Sequence, residues 1–298
     1  MLPILFAYKH IMTGGNLLKK LFLTYITITI IISFLLPNSK INHLSIHTID
    51  VGQGDSMLIQ TPNNKNILID GGDENSFHIV SNYLKRQKVK TIDYLIATHF
   101  DSDHIGGLDN IIEKFKVSNL YGPSYEYDSL SYQNLINSCL NKNLNLKYLC
   151  EGDFINIEDN INLNVLSPSY IDDENNLNSI VFKLDYKNKS FLFTGDAEAT
   201  NEISLINKYN LNDVDFLKVG HHGSNSSTTS EFIEEVSPDI AVISCGYKNK
   251  YGHPHNQTLD TLDKNNVLTY RTDLLGDIVF YSDGETIFTT KDYNLNKK

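Results

Sequence analysis

The sequence predicts an α/β fold: one domain of two β-rich halves, residues 41–298, behind an apolar leader at residues 1–40. Three observations predict it. Short apolar runs alternate with stretches whose apolar residues recur at helical spacing. Neither a fixed-period repeat nor a low-complexity linker divides the chain, and 298 residues can bury a sizeable core. The polar residues able to do chemistry recur where apolar strands end, the position at which open α/β sheets hold ligands.

The leader comes first. Lys19 and Lys20 precede an uncharged run, "LFLTYITITIIISFLL" (Leu21 to Leu36), which Pro37, Asn38 and Ser39 end. A basic flank, an apolar run and then polar residues make a secretory signal. The run is slightly shorter than a full span of about 20 residues, although Leu17 and Leu18 nearly extend it. No small-x-small cleavage site is visible and no cysteine follows to accept a lipid, so both an uncleaved membrane anchor and a cleaved peptide stay open. Met12 offers an alternative start. The lysine pair places the folded part outside the cytoplasm, anchored or secreted.

From Ile41 the chain reads as three short strands, "HLSIHTID", "SMLIQT" and "NILID", joined by turns. "FHIVSNYLKRQ" has helical spacing and "IDYLIAT" is a buried strand. Helices are expected at about Leu108 to Phe115 and at "YQNLINSCLNKN". The second half brings strands "INLNVLS", "SIVFKLDY", "SFLFTG", "DFLKVG", "IAVISCG" and "DIVFYS", with helices near residues 199–208, 229–236 and 257–265.

A formal net charge of −11 argues against broad, non-specific nucleic-acid binding, which depends on lysine and arginine neutralising phosphates. It does not exclude a nucleic-acid enzyme whose metal ions supply local positive charge. Cys139, Cys150 and Cys245 are scattered, without the close spacing of a zinc site or redox dithiol, and are read as ordinary thiols. "GQGDS" lacks the lysine of a phosphate-binding loop, and no Ser/His/Asp triad stands out.

"ATHFDSDHIGG" packs His99, Asp101, Asp103 and His104 into six positions. Alone, such a cluster is either a solvated acidic loop or a metal site. Its neighbours favour metal: Asp70 follows "NILI", His99 follows "YLIAT", Asp196 follows "FLFTG", and His221 and His222 follow "FLKVG". A solvated charge run has no reason to recur at strand ends.

"THFDSDHIGG" resembles the second motif of the metallo-β-lactamase fold, written H-x-H-x-D-H. The wider set, "IDVGQGDSMLI", "NILIDGG", "ATHFDSDHIGGL", "FLFTGDAE", "LKVGHHGSNSS", "YGHPH" and "YRTDLLGDIVFYSDG", is similar to the extracellular hydrolase domain of the ComEC family of competence proteins. It runs in the family's order from about residue 44 to 290. The resemblance implies a four-layer αββα sandwich with a one- or two-metal hydrolase site at the sheet edge. The single apolar run implies that the family's membrane channel is absent.

Carried over by position, His99, Asp101, Asp103 and His104 form the metal loop, Asp196 is the bridging carboxylate, and His221 is the last histidine ligand. His222 is an alternative or supporting donor, and Asp70 orients the loop by hydrogen bonding. Asp101 stands where the wider superfamily has histidine, and Asn178 and Ser179 stand where its third-motif histidine would be. Oxygen-rich ligation favours Mn²⁺ over Zn²⁺, with Zn²⁺ kept open. Binding is expected to be tight at Asp103, His104, Asp196 and His221, and weaker at His99 and Asp101.

Around this set, Asp55 and Ser56 either face the site or form a strand-opening turn. His253 and His255 are expected to meet substrate, or to donate a proton to the leaving oxygen beside Asp103. Ser224 and its neighbours suit a phosphate or a helix cap, and Thr272 and Asp273 are expected to hold a nearby loop. Lys218, Lys248, Lys250 and Arg271 would ease the acidic balance if they gathered at the rim. The expected function is extracytoplasmic, metal-dependent phosphodiester hydrolysis acting on DNA. The alternatives are amide or ester hydrolysis, of a β-lactam or lactone, and a degenerate metal-binding module.

Overall fold

Alternation along the strands sorts apolar side chains onto two faces, and that sorting builds the layers. The computed structural model describes residues 20–26 and 43–292. Residues 20–26 are helical, and the remainder of the expected leader lies outside the described residues. Among the described residues no helix is long and apolar enough to cross a membrane. The compact unit beginning at His43 carries the elements below.

Strands β1 (Leu44–Thr48), β2 (Met57–Gln60) and β3 (Asn66–Ile69) form an antiparallel meander. Helix α1 (Phe77–Arg86) leads through β4 (Thr91–Ile92) to β5 (Tyr94–Ile96), which pairs parallel with β3. Helices α2 (Ser102–Ile105) and α3 (Leu108–Lys114) follow, then β6 (Lys116–Val117), β7 (Leu120–Gly122), α4 (Leu130–Lys142) and β8 (Leu146–Tyr148).

The second half opens with antiparallel β9 (Phe154–Glu158), β10 (Ile161–Ser167), β11 (Val181–Tyr186) and β12 (Lys189–Phe193). Next come α5 (Ala199–Lys208), β13 (Phe216–Lys218), α6 (Ser230–Val236) and β14 (Ile240–Ile243). After α7 (Asn256–Lys264) and β15 (Leu268–Arg271), the chain ends on α8 (Thr272–Leu275), β16 (Ile278–Ser282) and β17 (Ile287–Thr289). Strands β12, β13, β14 and β15 pair parallel in that order.

Two sheets result, β17-β16-β1-β2-β3-β5-β7-β8 and β15-β14-β13-β12-β11-β10-β9, with β4 and β6 paired separately. Ile46, Met57, Ile59, Ile67 and Ile69 of the first sheet share one core with Leu163, Phe182, Phe191, Phe193 and Phe216 of the second. The intervening Leu58, Leu68 and Leu95 join Val80, Leu84, Leu108, Ile111 and Leu135 from α1, α3 and α4. On the far side, Leu192, Leu217 and Ala241 join Leu205, Phe232, Ile233 and Leu262 from α5, α6 and α7. Helices cover the outer face of each sheet, so the layers run αββα.

Two expectations need correction. "DIVFYS" does not stay with the second half: as β16 it pairs antiparallel with β1 and extends the first sheet. Several strands, among them β7, β8, β15 and β17, were not foreseen. Three- and four-residue segments carry no readable period, and distant partners decide their pairing.

Candidate metal centre

Two pairs of parallel strands, one pair in each sheet, deliver the candidate ligands. Asp70 follows β3, His99 follows β5, Asp196 follows β12, and His221 and His222 follow β13. Backbone conformation then aims them. His221 (φ 46°) and His222 (φ 54°) are consecutive left-handed residues within the Gly220–Gly223 turn, and Asp70 also has positive φ, 56°. Such residues each cost of order 1–3 kcal/mol and persist where surroundings over-determine them. The glycine pair after the acidic loop answers to packing. A Cβ on Gly106 would stand 2.4 Å from the Ser102 carbonyl oxygen, and one on Gly107 2.5 Å from that of Gly71.

The imidazoles are anchored through Nδ1. His104 Nδ1 donates to Asp70 Oδ2 at 2.8 Å. Asp70 also accepts from the Thr98 amide (2.8 Å) and hydroxyl (2.7 Å). That hydroxyl, having given its proton away, accepts from His99 Nδ1 at 3.1 Å. His222 Nδ1 donates to the Ser244 carbonyl at 3.0 Å, with Asp55 Oδ1 3.3 Å away. His221 Nδ1 lies 3.1 Å from both Ser226 Oγ and Glu198 Oε1. A ring that donates from Nδ1 presents a bare lone pair at Nε2, the tautomer a metal ligand needs.

Those Nε2 atoms converge on carboxylates. His104 Nε2 is 3.3 Å from Asp196 Oδ1, and His222 Nε2 is 3.3 Å from both Asp196 Oδ2 and Asp103 Oδ2. His221 Nε2 is 3.8 Å from Asp196 Oδ2, and His99 Nε2 is 3.5 Å from Asp101 Oδ2. Nε2 of His99, His104 and His222, with Asp196 Oδ1, are buried without a hydrogen-bond partner. Buried polar groups left unsatisfied are costly. Orphaned acceptors facing one another, with anionic oxygens among them, fit a divalent cation.

Electrostatics agree with that fit. Burial disfavours charge on His104 and His222, but Asp196, with Asp70 beside His104 and Asp55 beside His222, overcomes it and holds both rings well above the usual imidazole range. Burial likewise opposes ionisation of Asp196, yet His222 and His104 hold its carboxyl well below the usual range. Asp103, buried but facing His222 and His104, is pushed down to about 2. A field that retains two extra protons favours a cation in their place.

The structure brings together His99, Asp101, Asp103, His104, Asp196, His221 and His222, and of the two consecutive histidines it places His222, the alternative donor, nearer the carboxylates. His222, not His221, stands between Asp103 and Asp196, while His221 leans to Glu198. Asp55 also enters: Asp55, His104, Asp196 and His222 offer donor atoms within 4.8 Å of one another. Asp55 Oδ2 is 2.7 Å from Lys218 Nζ and its Oδ1 faces His222 Nδ1, so we assign it to orienting His222, as Asp70 orients His104. Ser56 Oγ donates to the Asp70 carbonyl (3.1 Å) and Ser179 Oγ accepts from the Asp196 amide (3.1 Å). Both hold ligand backbones in place.

Other expectations change. Asn178 spends its amide on its own loop, Oδ1 accepting from the Asp172 amide and Nδ2 donating to the Asp172 and Glu174 carbonyls. His255 accepts the Asn225 amide at Nδ1 and donates from Nε2 to the Tyr251 carbonyl, so both ring nitrogens are engaged in holding the turn. Ser224 Oγ accepts from the Ser226 amide, bracing the loop behind His221. His253 lies beside His221 and His222, with ring centroids 5.6 and 6.2 Å away. Burial, and then those two rings, push it down to about 4. At neutral pH it is uncharged and suits hydrogen bonding rather than storage of a proton.

The expected rim of basic residues divides. Lys218 is buried against Asp55 and Arg271 is committed to Asp273. Sequence reasoning also assigned no role to Glu198 behind His221, or to Tyr127, whose hydroxyl donates to Asp101 Oδ1 at 3.2 Å. "TGDAE" held the signal for Glu198, two residues beyond Asp196.

A model of the metallo-beta-lactamase superfamily matches residues 49–131 and 176–247, just over half the chain, including the donors above. The chain is 32% identical over 253 residues to ComE operon protein 3 of Bacillus subtilis (strain 168), covering 79% of this chain and 32% of that protein. It is 33% identical over 226 residues to Recombination protein 2 of Haemophilus influenzae, covering 74% of this chain and 26% of that protein. It therefore spans about a third or less of the length of these curated relatives. Of solved structures, the metallo-beta-lactamase fold protein YhfI from Bacillus subtilis matches with a TM-score of 0.53 at 12% identity, covering 80% of this chain and all of that one, a likeness of fold. The chain belongs to the metallo-beta-lactamase superfamily, has the fold of its metal-dependent hydrolases, and is related to the ComEC/Rec2 competence proteins.

Proposed function

We propose that this chain is a metal-dependent phosphodiesterase that cleaves DNA, with Mn²⁺ its preferred ion. One observation carries the reading. Three carboxylates, Asp101, Asp103 and Asp196, face the imidazole Nε2 atoms where strand ends of the two sheets meet. Carboxylates make up half of this donor set, and each shifts the preference towards a harder ion than an all-imidazole site would take. Asp103, His104, Asp196 and His222 would hold the tighter ion, and His99 and Asp101 the weaker one.

Divalent ions at these donors supply Lewis acidity and an activated water for in-line displacement at phosphorus. The chain's own residues do the rest. Asp70 and Asp55 keep the imidazoles in the ligating tautomer, and neutral His253 hydrogen-bonds a substrate oxygen. The names of two relatives, a recombination protein and a competence protein, support DNA as the substrate class. The lysine-flanked apolar run supports an extracytoplasmic placement, by membrane anchor or secretion. A carboxyl-terminal reporter active only in the cytoplasm would overturn that placement.

The test is hydrolysis by chelator-stripped protein refilled with Mn²⁺, Mg²⁺ or Zn²⁺, offered single- and double-stranded DNA, bis(p-nitrophenyl) phosphate, a β-lactam and a lactone. DNA cleavage with Mn²⁺ best is expected, abolished by Asp103→Ala. His253→Ala should slow turnover with metal content unchanged. Full metal occupancy with DNA untouched and a β-lactam or lactone opened would replace this reading with amide or ester hydrolysis.

A further inference from the structure

The turn after β14 carries a feature that metal binding does not explain. From Ile240 to Leu259 the chain of this acidic protein has no Asp or Glu, and within it "GYKNKYGH" (Gly246 to His253) interleaves two lysines with two tyrosines. Tyr247 and Tyr251 are 68% and 52% exposed. Lys248 Nζ lies 5.2 Å from the Tyr247 ring centroid and Lys250 Nζ 4.9 Å from that of Tyr251. Each exposed ring therefore has an ammonium beside it.

The turn is pre-shaped. Asn249 ties it from within, Nδ2 donating to the Gly246 and His253 carbonyls and Oδ1 accepting the Tyr251 and His253 amides. It also leads to the metal centre. The Tyr251 ring stacks on His253 at 5.6 Å and 22°, and His253 stacks on His222 at 6.2 Å and 29°. His222 Nε2 faces Asp103 and Asp196. A column of three rings thus runs from solvent to the ligand set. The margin beside Asp101 is different, with Glu126, Asp172 and Asp173 lining the hollow next to Tyr127.

We propose that the Gly246–His253 turn is a guide for single-stranded nucleic acid, stacking unpaired bases on Tyr251 and Tyr247 while Lys248 and Lys250 hold the adjoining phosphates. This rests on the phosphodiesterase reading and names its substrate class. Stacking on a tyrosine needs a base face that a duplex hides, and aromatic rings interleaved with basic residues are the sequence-tolerant way to take a single strand. A pre-ordered turn loses little conformational freedom on binding. Phosphates are drawn to this margin and repelled from the acidic one.

The test uses the full chain and a fluorescent oligothymidylate. Binding is read by anisotropy with chelator present, and turnover is read on the oligonucleotide and on bis(p-nitrophenyl) phosphate with Mn²⁺. Tyr247→Ala/Tyr251→Ala should weaken oligonucleotide binding and raise its KM by about ten-fold or more, a rise that the KM of the small diester, too short to reach the turn, does not share. Tyr247→Phe/Tyr251→Phe should keep wild-type binding, which separates stacking from misfolding. Lys248→Gln/Lys250→Gln should flatten the log–log salt slope by roughly 1.4, the value for two phosphates on a single strand. Wild-type affinity in the alanine variant, or duplex bound as tightly as single strand, overturns the proposal. Loss of all diester hydrolysis in the wild type would defeat the phosphodiesterase reading alone, because the anisotropy still reports on the turn.

Discussion

Lys218 Nζ lies 2.7 Å from Asp55 Oδ2, and the two residues are only 2% and 3% exposed. The alternation that turns Phe216 into the space between the sheets turns Lys218 the same way. A buried ammonium there needs a partner. Asp55 supplies it from the β1–β2 loop of the other sheet, and the Val219 carbonyl accepts a second hydrogen bond at 2.7 Å. Burial alone would raise the Asp55 pKa, but Lys218 and His222 hold it well below the usual carboxylate range. One ion pair therefore joins the two sheets and aims a histidine at the candidate metal centre.

Lys218→Met should destabilise the protein by about 3–5 kcal/mol, because it leaves the Asp55 carboxylate buried and unpaired. The double variant Lys218→Met/Asp55→Asn should recover most of that loss, since neither charge then remains. Urea denaturation of the wild type, both single variants and the double variant completes the cycle. Strictly additive losses would show that the pair is not coupled.

Metal stoichiometry should divide along the donor geometry. Asp196 faces His104 through one oxygen and His222 through the other, with His221 3.8 Å away. Asp196→Ala should therefore weaken the tighter ion and, at the bridging position the family resemblance implies, the weaker one as well. Asp101→Ala should remove only the weaker one, because Asp101 pairs with His99 alone among the imidazoles. Native mass spectrometry with elemental analysis measures both. Equal losses in the two variants would contradict the assignment.

Acid should act on the fold through His47 as well as through the metal centre. His47 is buried in β1, its Nδ1 2.8 Å from the Tyr83 hydroxyl and its Nε2 2.9 Å from Ser45 Oγ. Burial lowers its pKa from 6.5 to about 4. Below pH 6.5 the unfolded chain takes up a proton that the folded ring refuses. Stability is therefore intact above that pH and falls as pH drops towards 4, by up to about 3 kcal/mol. Denaturation of chelated protein between pH 7.5 and about 4 should show this loss in the wild type and a smaller one in His47→Gln. Parallel pH profiles would exclude His47 as the source.

Local sequence decided much of this protein. Strand "INLNVLS" reappears as Ile161–Ser167, and the helix expected at residues 199–208 as Ala199–Lys208. Hydrophobic period and turn residues act over a few positions, so both were legible without a fold. His99, Asp101, Asp103 and His104 could be grouped for the same reason: they are neighbours in sequence and stay neighbours in space. Tertiary structure alone decided what distance in sequence conceals. Whether His221 or His222 meets Asp103 depends on two consecutive left-handed residues, which no spacing encodes. The pairing of β16 with β1 joins segments more than 200 residues apart. Lys218 looked like a surface cation because lysine usually is one. The register of β13 turned it inward, and an aspartate from the opposite sheet made that burial tolerable.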